Sequence, residues 1–91
     1  MIYEVIILEQ AENHLAKLKK SEKAAFKKAV KLLGELQEHP TTGTGKPEQL
    51  KHYKEPTWSR RISDKHRLVY RIQDDIVVVL VISAFGHYDD K

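Results

Sequence analysis

The spacing of apolar residues changes once along this chain, and the change divides it into two halves of different secondary structure. Between residues 8 and 36 the apolar positions recur at helical intervals. Leu8, Ala11, Leu15 and Leu18 form one stripe; Phe26, Ala29, Val30, Leu33 and Leu36 form another. Ser21 is placed to cap the second helix, with Glu22 favourable to its dipole in the first turn. Pro40 lacks the N–H that a helix interior needs, so this helix ends near Glu38. Thr41–Pro47 is a Gly/Thr/Pro loop, and beyond it the period is two. Trp58, Arg60 and Ile62 alternate with Ser59 and Arg61, and Leu68, Tyr70 and Ile72 alternate with Arg67, Val69 and Arg71.

The remaining elements fit around this division. Ile2–Leu8 is rich in β-branched and aromatic residues and reads as a first strand. Glu48–Tyr53 is a weaker strand candidate, and Ser63–Lys65 and Asp74-Asp75 are turns. Ile76–Ile82 is apolar throughout, as expected of a central strand buried on both faces. The order is β-α-α-β-β-β-β. It predicts one α+β domain over residues 1–91, a helical hairpin on one face of a mainly antiparallel twisted sheet. Leu68, Tyr70 and Ile72 should face the helices, and Arg67, Val69 and Arg71 the other side. Arg61 joins the latter if the hairpin register is odd, which the period alone leaves open.

Charge is unevenly spread. The chain is +3 overall, from 16 basic and 13 acidic residues, but eight basic residues lie between Lys46 and Arg71 against three acidic ones. Lys17, Lys19, Lys20, Lys23, Lys27, Lys28 and Lys31 form a second basic zone on the helices. A polyanionic partner accounts for both zones, because cations gain affinity by displacing phosphate counterions; for the helix lysines a solvated surface accounts for them equally well. There are no cysteines, which excludes disulfides, thiolate metal sites and cysteine nucleophiles. No apolar run reaches membrane-spanning length, and the opening MIYEVIIL lacks the basic start and length of a signal peptide. A cytoplasmic protein without membrane contact is the expectation.

The basic stretch also contains groups that can move protons. Cleaving an RNA phosphodiester without metal requires a base for the ribose 2′-hydroxyl, positive charge for the phosphorane and an acid for the departing oxygen. Glu48 is a candidate base, although taken alone it is better explained as a surface loop acid. Arg61 and Arg67 offer planar forks for phosphate oxygens, or else pair with Glu55 or Asp64. Histidine side chains titrate near neutrality, so His87 is either the acid or an exposed terminal histidine. Tyr88 can stack on a base or pack on the sheet edge. Gly45-Lys46 is not the end of a phosphate-binding P-loop, because Pro47 stands where Ser or Thr is required. The five histidines show neither H-x3-H nor HExxH spacing, so neither metal nor cofactor is expected.

GKPEQLK, WSRRI, HRLVY and the late His-Tyr occur in this order and at spacings that resemble the YoeB/Txe group of toxins in the RelE/ParE superfamily. The resemblance implies a RelE-like fold and a ribosome-dependent mRNA endonuclease needing no metal. It implies as partners a cognate antitoxin of the YefM/Axe kind, the ribosome and mRNA, and often a second copy of the toxin in a homodimer. It assigns general base to Glu48, transition-state stabilisation to Arg67, and general acid to His87 with Tyr88 beside it. Lys51 and Arg61 would contact the phosphate backbone, and Lys46 and Arg60 complete the expected phosphate-binding set. Two features depart from the pattern: Gly86 stands where larger residues are usual, and Asp89-Asp90-Lys91 follow the His-Tyr. The other readings of the same chain are a ParE-like poison of DNA gyrase, which lacks the Glu/Arg/His set, and an inactive RNA-binding module of the same fold.

Overall fold

Two amphipathic segments separated by a single break make the helical half. In the computed structural model, which describes residues 2–83, strand β1 spans Glu4–Ile7, helix α1 Glu9–Ser21 and helix α2 Lys23–Leu36. The second half supplies β2 (Glu48–Gln49), β3 (Thr57–Arg61), β4 (Arg67–Gln73) and β5 (Ile76–Ser83). They form one sheet in the order β1-β5-β4-β3-β2. β1 runs parallel to β5, and every other neighbouring pair is antiparallel. The α+β arrangement with a helical hairpin on one face is therefore as expected.

Strand parity decides which residues meet the helices. Val77, Val79, Leu68 and Tyr70 are buried in one cluster with Ala11 and Leu18 of α1 and with Ala25, Ala29, Leu32 and Leu36 of α2. A leucine enclosed as fully as Leu32 or Leu68 contributes about 1.5–3 kcal/mol through burial alone. β5 lies between β1 and β4, and Val77, Val78 and Val79 are all buried, as a strand covered on both faces requires. Val69 pairs with Val81 and Tyr70 with Val79, so Leu80 is an extra residue on β5 and the ladder is bulged there.

Four local expectations are corrected. Ser21 does not cap α2: it is the last residue of α1, and its hydroxyl donates to the Lys17 carbonyl at 2.9 Å. The break falls on Glu22, whose carboxylate instead lies 3.1 Å from Nε2 of the buried His66 in the β3–β4 connection. A contact between residues 44 positions apart has displaced the local capping option. The buried stripe of α2 is Ala25, Ala29, Leu32 and Leu36, which turns Val30 to solvent at 48% exposure. Leu8, counted in the stripe of α1, precedes that helix and is exposed. Finally, β2 is two residues long, shorter than the Glu48–Tyr53 span expected of it.

Candidate active site

The loop that carries Lys46 and Glu48 is held by a buried cation. Arg60 of β3 follows the parity of Trp58 and so points into the helix side of the sheet, where it is completely buried. Its Nη1 donates to Glu35 Oε1 at 2.8 Å and to the Thr44 carbonyl at 3.4 Å. Its Nη2 donates to the Thr42 carbonyl at 2.7 Å and to the His39 carbonyl. Nε donates to the Tyr70 hydroxyl at 3.1 Å, and that hydroxyl donates to the Pro40 carbonyl at 2.6 Å. Burial pushes the Tyr70 pKa up, which keeps the hydroxyl a donor. Glu35 completes the network by accepting from Thr44 N at 2.9 Å and Thr44 Oγ1 at 2.7 Å. The network leaves no room for a side chain at Gly43, where a Cβ would come within 2.6 Å of Glu35 Oε1.

This corrects one assignment. Arg60 belongs to the expected phosphate-binding set, but all its hydrogen-bonding nitrogens are turned inward to protein oxygens. It is a structural cation that neutralises Glu35 and satisfies the loop carbonyls around it, and none of it is presented to solvent.

The other candidates lie on the opposite face. Glu48 pairs with Ser59, Ser59 with Val69, and Arg61 with Arg67, so Glu48, Arg61 and Arg67 share the side of the sheet away from the helices. The odd register on which Arg61 depended is the one found. Glu48 and Arg61 are diagonal neighbours, about 7–8 Å apart by sheet geometry with their Cβ atoms somewhat closer. Glu48 and Arg61 are exposed and Arg67 is half-buried, while Ser59 and Val69 between them are buried. Two arginines directly opposite each other place two guanidinium groups within reach of one anion above the sheet.

Lys46 and Lys51 flank Glu48 in sequence, with Lys51 exposed. Lys46 adopts positive φ (51°) beside Gly45, whose carbonyl accepts from Arg61 N at 2.7 Å. Glu48, Gln49, Leu50, Lys51 and His52 line a shallow pocket of about 210 Å³. Glu55 pairs with Arg71, Nε to Oε1 at 3.1 Å without the alignment of a hydrogen bond. His87 and Tyr88 lie outside the described residues, as do Gly86 and Asp89-Asp90-Lys91. What the sequence reading missed is the support beneath the site, Glu35, Thr44 and Tyr70. The available signal was the parity that puts Arg60 in line with Trp58 and Ile62.

The network carries a pH dependence. The Thr44 hydroxyl, more than any other group, holds the Glu35 carboxyl below its ordinary value of 4.5; the Thr44 N–H and the Arg60 guanidinium act in the same direction, and burial opposes them. A lowered folded-state pKa adds stability that is present above the unfolded value and is lost as pH falls through the folded one. Urea midpoints should therefore separate wild type from Glu35→Gln at neutral pH, and the gap should narrow as pH falls below the ordinary carboxyl value of 4.5. A gap that stays constant with pH would contradict this account of Glu35.

The chain compares closely with known proteins. The family model of the YoeB-like toxin of bacterial type II toxin–antitoxin systems matches residues 8–88. Toxin YoeB of Mycobacterium bovis is 46% identical over 68 residues, which cover 75% of this chain and 78% of that protein. Among solved structures, the YoeB dimer from Staphylococcus aureus is 30% identical with a TM-score of 0.79, covering 97% of this chain and all of that one. The YoeB–YefM complex from the same organism contains a chain 29% identical with a TM-score of 0.77, at the same coverage.

Proposed function

The chain belongs to the YoeB family of toxins from bacterial type II toxin–antitoxin systems, and from that premise we propose that it is an endoribonuclease that cuts mRNA on the ribosome. The observation that carries this reading is the row of Glu48, Arg61 and Arg67 on one sheet face, with the two arginines directly paired. A carboxylate on the same sheet face as two cations, diagonal to the nearer of them, supplies the base and the positive charge that metal-independent phosphodiester transfer needs.

The Glu48 carboxylate takes the proton of a ribose 2′-hydroxyl, and the freed oxygen attacks the adjacent phosphorus. A new P–O2′ bond forms as the P–O5′ bond breaks, leaving a 2′,3′-cyclic phosphate upstream and a 5′-hydroxyl downstream. His87, with Tyr88 beside it, supplies the proton to the departing 5′-oxygen. Arg67 balances the second negative charge that builds on the phosphorane, and Lys46, Lys51 and Arg61 hold the flanking phosphates. The ribosome presents the mRNA and supplies the geometry that a shallow exposed pocket lacks.

The partners follow from the relatives. A cognate antitoxin of the YefM kind neutralises the protein in the cytoplasm, and the free toxin forms a homodimer; S. aureus relatives have been solved in both assemblies. Mapping of mRNA 5′ ends after induction tests the reading. Cuts confined to translated frames support it. Intact mRNA with accumulated DNA breaks would point to the gyrase-poisoning alternative.

A further inference from the structure

We infer that Arg60, Glu35 and Thr44 are positioning residues for Glu48, acting through the loop rather than through contact with RNA; the inference rests on Glu48 being the base of the proposed reaction. β2 is only two residues long and both are exposed, so no apolar pattern fixes its register. A slip of one residue would turn the Glu48 side chain away from Arg61 and Arg67, because successive strand residues point to opposite faces. The register must be set from outside the strand.

Upstream, it is set by the buried network. The carbonyls of His39, Thr42 and Thr44 converge on Arg60, and that of Pro40 is reached through Tyr70. Glu35 grips both the N–H and the hydroxyl of Thr44. Only Gly45, Lys46 and Pro47 separate Thr44 from Glu48. Gly45 passes against β3 with no space for a side chain, since a Cβ there would lie 2.9 Å from the Arg61 carbonyl oxygen. The next fixed point is the bond from Leu50 N to the Thr57 carbonyl at 2.8 Å. Glu48 thus sits on a short span pinned at both ends. Arg60, the residue before the expected phosphate-binding Arg61, acts on the reaction through the opposite face of the sheet.

Thr44→Val tests this without removing a buried charge, because it deletes only the hydroxyl bonded to Glu35. Single-turnover cleavage of ribosome-bound mRNA should show the maximal rate reduced about ten-fold, with the half-saturating concentration within about two-fold, the pattern of a misplaced reacting group. Thr44→Ser, which keeps the hydroxyl, should restore the rate. In a Glu48→Gln background, Thr44→Val should cost nothing further. An unchanged rate for Thr44→Val, or an equal loss in both backgrounds, would overturn the inference. Wild-type protein that fails to cut would overturn the functional reading instead. Amide exchange then decides the clamp by itself: faster exchange at Arg61 and Leu50 in Thr44→Val, with Val79 unchanged, supports it, and unaltered exchange at both sinks it.

Discussion

Glu48→Gln and Arg67→Ala should each lower the rate of mRNA cleavage by about two to four orders of magnitude, the range found for positioned acid–base groups and for fixed charges at a developing anion. Glu48 is exposed, and glutamine keeps its shape while losing its capacity to accept a proton. Its effect on stability should stay within about 0.5 kcal/mol, as for other surface substitutions. Arg67 stands directly opposite Arg61 on the same sheet face. The combined variant should be little slower than the worse single one, because both groups act on the same transition state. Growth arrest on induction and thermal unfolding of the purified variants are the paired measurements. Variants that stay folded and still cut at the wild-type rate would remove both residues from the mechanism.

Arg60→Met should be the most destabilising change of a charged residue in the sheet, by about 2–4 kcal/mol, because it removes a fully buried cation from a partly exposed carboxylate and from several loop carbonyls. Methionine fills much of the same volume, but Glu35 is left without its counter-charge, and the carbonyls of His39 and Thr42 lose their donors. Against a total stability of about 5–15 kcal/mol for a domain, that loss threatens folding. The neighbouring Arg61→Met should behave oppositely. It should leave stability within about 0.5 kcal/mol and weaken RNA binding, with the salt slope of affinity reduced by about one. Urea unfolding of the two variants makes the contrast directly. Equal stabilities would mean that the interior network contributes nothing.

These adjacent arginines show how far the sequence can be read. Period two and the apolar neighbours Trp58 and Ile62 assign Arg60 to the interior, yet charge density assigns both arginines to a phosphate-binding surface. Parity was the better guide, because a buried arginine needs only enough acceptors, and the loop after α2 supplies them. Those acceptors lie 16 to 21 positions away, beyond any local pattern. The strand Arg67–Gln73 was legible, since the alternation of Leu68, Tyr70 and Ile72 with Arg67, Val69 and Arg71 and the Asp74-Asp75 turn bound it on physical grounds. The phase of α2 was less so: Val30 and Leu32 are both apolar, and the choice between them is made by the sheet they pack against. Glu22 illustrates the same limit, because its partner His66 comes from the other half of the chain. Glu48 was legible as chemistry only through the motif around it. The register Glu48–Ser59 and Arg61–Arg67 then placed it with the arginines on one face.

Cleavage of a defined mRNA by the purified protein, with and without programmed ribosomes, followed by analysis of the new ends, decides whether the chain is a ribosome-dependent nuclease. Cuts should appear only when the ribosome presents the mRNA. The upstream fragment should end in a 2′,3′-cyclic phosphate and the downstream one should begin with a 5′-hydroxyl, and Glu48→Gln should all but eliminate both. An mRNA left intact on ribosomes by active, folded toxin, or fragments bearing a 5′-phosphate, would contradict the proposed mechanism.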